Sequence, residues 1–285
     1  KMELIFGAAL CSVAVSIFLK WGKSHGFDAL QMITVNYAVA SVLCYIWFKP
    51  DFSHVSLSTT PWWLIFILGM LLPGIFLCLA RSLQYAGILK TEIAQRLSVV
   101  LSLLAAFSIF QEQFSISKLL GIGLGIVAVI SLLFGQHFQE KTTSDHKKGL
   151  VFLLSVWIGY ALVDILLKYT TGLGLQFALA LNLAFLFSFV LSSSFLVLQK
   201  NWWSQKNILA GSGLGLLNFC NIALYIKAHM LLKDSPAIVF AGMNILVVLL
   251  GVMSGLLYFK EKLNLPTLIG LILGLTGVIC LAYAM

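Results

Sequence analysis

Charge is scarce in this sequence. Of 285 residues only 10% are Asp, Glu, Lys or Arg, against roughly 25% in a soluble domain. That shortage excludes an ordinary water-exposed surface. Catalytic motifs are missing too. There is no phosphate-cradling glycine loop, no HExxH helix, no Ser/His/Asp set and no paired-carboxylate loop motif. A nucleotide-driven pump is therefore not expected, and neither is an enzyme, with no catalytic residues to name. An integral membrane transferase stands as the alternative of a different class. The five cysteines, Cys11, Cys44, Cys78, Cys220 and Cys280, all fall inside apolar runs without metal-ligand spacing. They read as reduced core residues, and no metal or cofactor is implied. The short alternating segments of a transmembrane barrel are absent. No stretch resembles a cleavable signal peptide, and the first apolar run is itself expected to span.

Apolar residues are abundant. They make up 60% of the chain, with 21 Phe and a mean hydropathy of +1.01. Runs this long and continuous predict a polytopic all-α membrane protein. The net charge of +8 sits at span ends, where cations meet water and anionic headgroups. Lipid and a small-molecule substrate are the expected partners, and nucleic acid is not. Ten spans fit, each near the ~20 residues that cross a bilayer. They lie at about 3–20, 29–48, 62–86, 91–110 and 118–134 in the first half. Those of the second half are about 149–168, 175–198 and 206–232, with spans 9 and 10 closing the chain within 235–283. Pro73-Gly74 falls in the middle of span 3 and is expected to let it break or bend. Thr91-Glu92 reads as the N-cap and first-turn acid of span 4.

The stretch from Thr91 to Phe134 returns near the C-terminus. Glu112 aligns with Glu261, Leu119 with Leu268, Gly121 with Gly270 and Gly125 with Gly274, all at an offset of 149. The same offset puts Gln95 on Asn244. A constant offset through a turn and two apolar spans marks an internal repeat. Trp62-Trp63 and Trp202-Trp203, Lys20 and Lys168, and Asn36 and Asn182 occupy similar places in the two halves. The expected division is a first five-span repeat over 1–135, a linker loop over 136–148 and a second repeat over 149–285. Five spans per repeat invert the second half relative to the first.

A span ending in an acid, a short turn, then L-x-G-x-x-x-G opening an apolar helix resembles the EamA-type unit of the drug/metabolite transporter superfamily. Both copies carry it. The chain departs from that pattern at the start of span 4, where members often have proline and this sequence has Gln95-Arg96-Leu97. The resemblance implies a central cavity lined by spans 1, 3, 4, 6, 8 and 9, and alternating access between the halves. It also implies termini inside the cell. The lysine count, ten on the first-loop side including Lys141 against six on the other, favours termini outside. Orientation stays open, as do import against export and the coupling ion.

Ionisable and polar residues within spans are the candidate substrate contacts. Arg81 lies late in span 3 with Gln84 and Tyr85 within a turn. Glu92 and Arg96 stand at i and i+4 in span 4. They read either as a self-satisfied interfacial pair or as part of a cationic mouth for a carboxylate or phosphate. Span 6 carries Tyr160, Asp164 and Lys168, and the last two are spaced to pair. Span 8 carries Asn218, Asn221 and Tyr225 on one face, extended by His229. These glue helices together or line a cavity. Asn244 completes the set on span 9. Glu112 and Glu261 read as turn or cap residues. Gly121, Gly125, Gly270 and Gly274 read as close-packing faces, including those of a possible homodimer.

The mix of Arg81 and Arg96 with Glu92 and Asp164 points to a secondary transporter of an amino acid or related organic anion or zwitterion. A phosphorylated sugar, nucleotide sugar or lipid-linked headgroup is the alternative substrate. The expected location is the cell (inner or plasma) membrane, as a multi-pass monomer or homodimer.

Overall fold

The structure, a computed structural model, describes residues 1–138 and 142–285. Its elements run α1 Met2–Ser24, α2 Ala29–Phe48, α3 Trp62–Tyr85, α4 Ile88–Phe110 and α5 Ile116–His137. They continue with α6 Thr143–Gly172, α7 Phe177–Leu198, α8 Gln205–Leu231, α9 Pro236–Met253 and α10 Leu265–Tyr283. A π-turn over Ser254–Tyr258 extends α9. All ten helices are long and apolar enough to cross a membrane, and no strand occurs among the described residues. The chain is an all-α, ten-span membrane protein.

Three local expectations change. Span 4 opens at Ile88, behind Gly87, so Thr91 and Glu92 lie inside the helix. Thr91 shares a hydrogen bond with Ser82 and caps nothing. Span 3 does not break, because α3 runs unbroken through Pro73. Proline removes one N–H from the ladder, a loss a spanning helix tolerates. Helix α6 starts at Thr143, so the polar stretch 143–148 of the expected linker is helical. Residues 139 and 140 of that linker, and Lys141 of the loop count, lie outside the described residues.

Two compact units make up the chain. The larger comprises 1–20, 78–161 and 220–285, and the smaller 21–77 and 162–219. In the larger unit, α5 and α10 meet glycine to glycine. A Cβ at Gly121 would lie 2.7 Å from Leu281, and one at Gly277 3.2 Å from the Gly121 carbonyl. A Cβ at Gly125 would run into Val100 of α4. Glycine at these positions lets the backbones approach. Apolar side chains fill the rest: Leu89, Ile93 and Leu97 of α4 pack with Ala128, Val129 and Leu132 of α5 and with Val248 and Val278. A second cluster joins Ile5, Ala8, Ala9 and Val13 of α1 to Ala228 of α8 and Val239, Met243 and Val247 of α9.

The two turns marked by the sequence repeat share their geometry. Gln111 and Lys260 are both left-handed, at φ 52°. The Glu112 amide donates to Ala106 at 3.3 Å, and the Glu261 amide to Gly255 at 2.8 Å. Ser115 caps α5 by accepting from the Lys118 amide, and Asn264 caps α10 by accepting from Thr267. Every one of these pairs keeps the offset of 149.

In the smaller unit the Asn182 amide donates to the Ser41 carbonyl at 2.9 Å, tying α7 to α2. Tyr37, fully buried, meets the rings of Phe76 and Phe185. Gln31 reaches Asn201 in the α7–α8 loop and Asn207 in the first turn of α8, which fastens both to the start of α2.

Candidate functional site

The larger unit contains a polar ladder between α1 and α4. Ser12, Ser16 and Lys20 stand four residues apart, hence on one helix face. Arg96 and Glu92 do the same on α4, which runs antiparallel to α1. The Arg96 guanidinium donates from Nη2 to Ser12 Oγ at 2.6 Å. Ser16 donates its hydroxyl to Glu92 Oε1. Lys20 pairs with Glu261, in the turn before α10.

The Lys20 rung is structural. Glu261 Oε1 accepts the Ile88 amide at 2.7 Å and Oε2 the Leu89 amide at 3.2 Å. Those are the first N–H groups of α4, which have no partner within the helix. The Glu261 carboxylate thus caps α4 from a distant segment, with its charge at the positive end of the helix dipole. Gly87 makes room: its φ is +93°, and a Cβ there would lie 2.7 Å from Glu261 Oε1. The expected cap role of Glu261 holds, and it serves α4 as well as its own turn.

The two inner rungs differ. Glu92 is 0% exposed, and its Oε2 has no hydrogen-bond partner. Its stem packs on α9, where a Cβ at Gly251 would lie 2.8 Å from Glu92 Cγ. Arg96 is half-buried, and its Nε is likewise buried without a partner. Glu92 and Arg96 make no ion pair with each other among the described residues. The self-satisfied pair read from their spacing is therefore not formed. Each side chain turns to a serine of α1 and keeps one polar atom in reserve. Beside Arg96, the Trp157 indole of α6 donates to the Leu97 carbonyl at 3.0 Å.

The remaining candidates distribute as follows. Arg81 and Gln84 are exposed on the last turns of α3. Tyr85 stacks on Phe152 and lies under the Lys148 ammonium, 5.3 Å from its ring centre. Tyr160 is half-buried on the part of α6 in the same unit. On α8, Asn221 has a buried Oδ1 without a partner, and Tyr225 meets His229 edge to face. Tyr225 packs against the α1 cluster. Asn244 of α9 is buried, its amide donating to the Phe240 carbonyl of its own helix. Asp164 and Asn218 belong to the smaller unit, where Asn218 donates to Asn36 at 3.1 Å and Asp164 is exposed.

Sequence reasoning missed Ser12 and Ser16. Their spacing of four on an apolar helix, followed by Lys20 at the same step, was the available signal. It also placed Lys90 in a loop. Lys90 is in the first turn of α4, buried, and donates to Gln136 of α5 at 2.8 Å.

Comparison with known proteins is consistent with this architecture. The EamA-like transporter family matches residues 2–134. An "Uncharacterized protein" of Haemophilus influenzae is 37% identical over 288 aligned positions, covering 99% of this chain and 97% of that one. A protein of known crystal structure shares the fold at 15% identity, with a TM-score of 0.54 and 96% of each chain covered. With the ten spans and the repeated acid-and-glycine turns, these matches show that the chain belongs to the EamA-like transporter family of membrane transporters.

Proposed function

We propose that this transporter is a secondary carrier of a small solute bearing an anionic group, an amino acid or related organic anion. It works by alternating access across the cell membrane, with Arg96 as the residue that holds the anionic group. One observation carries the reading: Arg96 is half-buried within a spanning helix, unpaired with Glu92, and keeps a buried Nε–H unused. A guanidinium in such a place calls for an anion or water. Its planar fork matches a carboxylate. Asn221, Tyr225 and Asn244, on the two helices that pack with α1, supply neutral polar groups in the same unit. The proposed frame is two inverted five-span repeats, 1–135 and 149–285. The repeated turns support that frame, and so does the position of Glu261 at the start of α4 with Glu112 just past its end.

The test is a thermal-shift screen of the purified protein, followed by flux in liposomes. A ligand that binds the folded state raises its melting temperature. Amino acids or organic acids are expected to stabilise the chain and to cross the bilayer with it. Stabilisation by sugar phosphates or nucleotide sugars alone would move the substrate to that class. Chemical conversion of a bound solute without flux would overturn the transporter reading.

A further inference from the structure

We propose that Glu92 is a proton-binding site, and that its proton enters together with the anionic group captured by Arg96. The inference rests on the anionic-solute reading above and adds the coupling ion to it. Glu92 is the only fully buried carboxylate among the described residues, and its Oε2 has no partner. Few other charges face it. From α1 it meets the Ser16 hydroxyl, and Lys20 one turn on is held by Glu261. From α9 it meets Gly251, and no residue between Pro236 and Met253 titrates. On α4 itself Lys90 turns to Gln136 of α5. Arg96, one turn away and turned toward Ser12, is the charge left to balance it.

Charge balance then links the two ligands. With Glu92 ionised, its charge and that of Arg96 cancel within one helical turn. An anion arriving there would leave a buried excess of negative charge, which is costly. A proton on Oε2 makes the carboxyl neutral and gives it an O–H to donate. The charge of Arg96 is then uncompensated, and an anion restores neutrality. Proton and anion therefore favour each other's binding, and by linkage the effect is reciprocal. The proton comes from water on the side the solute enters and leaves to water on the other. Because Glu92 is fully buried, against Ser16 of α1 and Gly251 of α9 among others, exchange with water needs the packing around it to open.

The experiment uses purified full-length protein and three sets of probes: the twenty common L-amino acids, L-lactate and succinate, each tested singly. Binding is measured against pH, and proton uptake is followed in weak buffer with an indicator dye. The expected result is one proton taken up per solute bound. On the alkaline side of the transition, affinity should rise about tenfold per pH unit of acidification. Glu92→Gln keeps an oxygen for Ser16 and should bind the same solute with no proton uptake and no pH dependence. Ser16→Ala leaves the carboxyl in place and should displace the pH profile, which keeps the test open should Glu92→Gln not fold. Binding by the parent without proton uptake would overturn the proton site while leaving the anionic-solute reading intact. A zwitterion that needs ionised Glu92 and binds without protons would give that carboxylate the solute's ammonium, and overturns the proposal likewise. If no probe binds at all, the anionic-solute reading falls and takes the proton site with it.

Discussion

Glu261 shows most clearly how one side chain fixes local structure. It closes the orphan amides of Ile88 and Leu89 and neutralises Lys20. Glu261→Gln would keep one acceptor and lose both the ion pair and the charge at the helix start. The expected cost is about 1–3 kcal/mol of stability, read as a lower melting temperature. Lys20→Met should also destabilise, and the double variant should cost less than the two singles together, since they share one interaction. Strict additivity would show that Lys20 and Glu261 do not act as a pair. The sequence showed Glu261 as a turn or cap residue, without the helix it caps. Its partners lie 173 and 172 positions away, so no local pattern could reveal them. The same distance hid the true start of α4: without the remote cap, Thr91 was the best local candidate.

Among the elements, the glycine contacts were legible because they need only composition and spacing. Helices that must touch in lipid need small residues at a four-residue step, and Gly121 and Gly125 supply one. Their actual partners, Leu281 with Gly277 and Val100, came only from the packing. Gly121→Leu should force apart α5 and α10, at about 1–3 kcal/mol. Gly123, on the same helix, has nothing within 4 Å of where a Cβ would sit, so Gly123→Leu should melt close to the parent. Equal melting temperatures for the two variants would contradict the packing. On α9, Gly251→Ala would place its methyl against the stem of Glu92. It should disturb the carboxylate more than the fold, lowering solute binding by more than it lowers the melting temperature. The ladder itself was half legible: the Glu92 and Arg96 spacing was visible, while the serines that hold them apart were silent polar residues in an apolar helix.

At the scale of the whole molecule, ten spans followed from hydropathy alone, since bilayer thickness sets helix length. Orientation did not follow, because several lysines counted as loop charges are engaged within the fold, Lys20 and Lys90 among them. Helix α4 has 23 residues, about 35 Å in length, enough to put Glu261 and Glu112 at opposite membrane faces. In a background without the native cysteines, Lys262→Cys and Gln113→Cys should react with an impermeant maleimide from opposite sides. Labelling from one side would remove the inverted repeat.

The central claim concerns Arg96 and the solute's anionic group. It is tested most directly by solute affinity and flux for Arg96→Lys, Arg96→Gln and Arg81→Gln, each with its melting temperature. Arg96→Lys keeps the charge and loses the fork, so it should bind about tenfold more weakly, a loss near 1.4 kcal/mol, with its fold intact. Arg96→Gln should abolish concentrative transport, and Arg81→Gln, at an exposed position, should have the smallest effect of the three. If both Arg96 variants bind and carry the solute as the parent does, Arg96 does not hold the solute, and the assignment to anionic substrates is wrong.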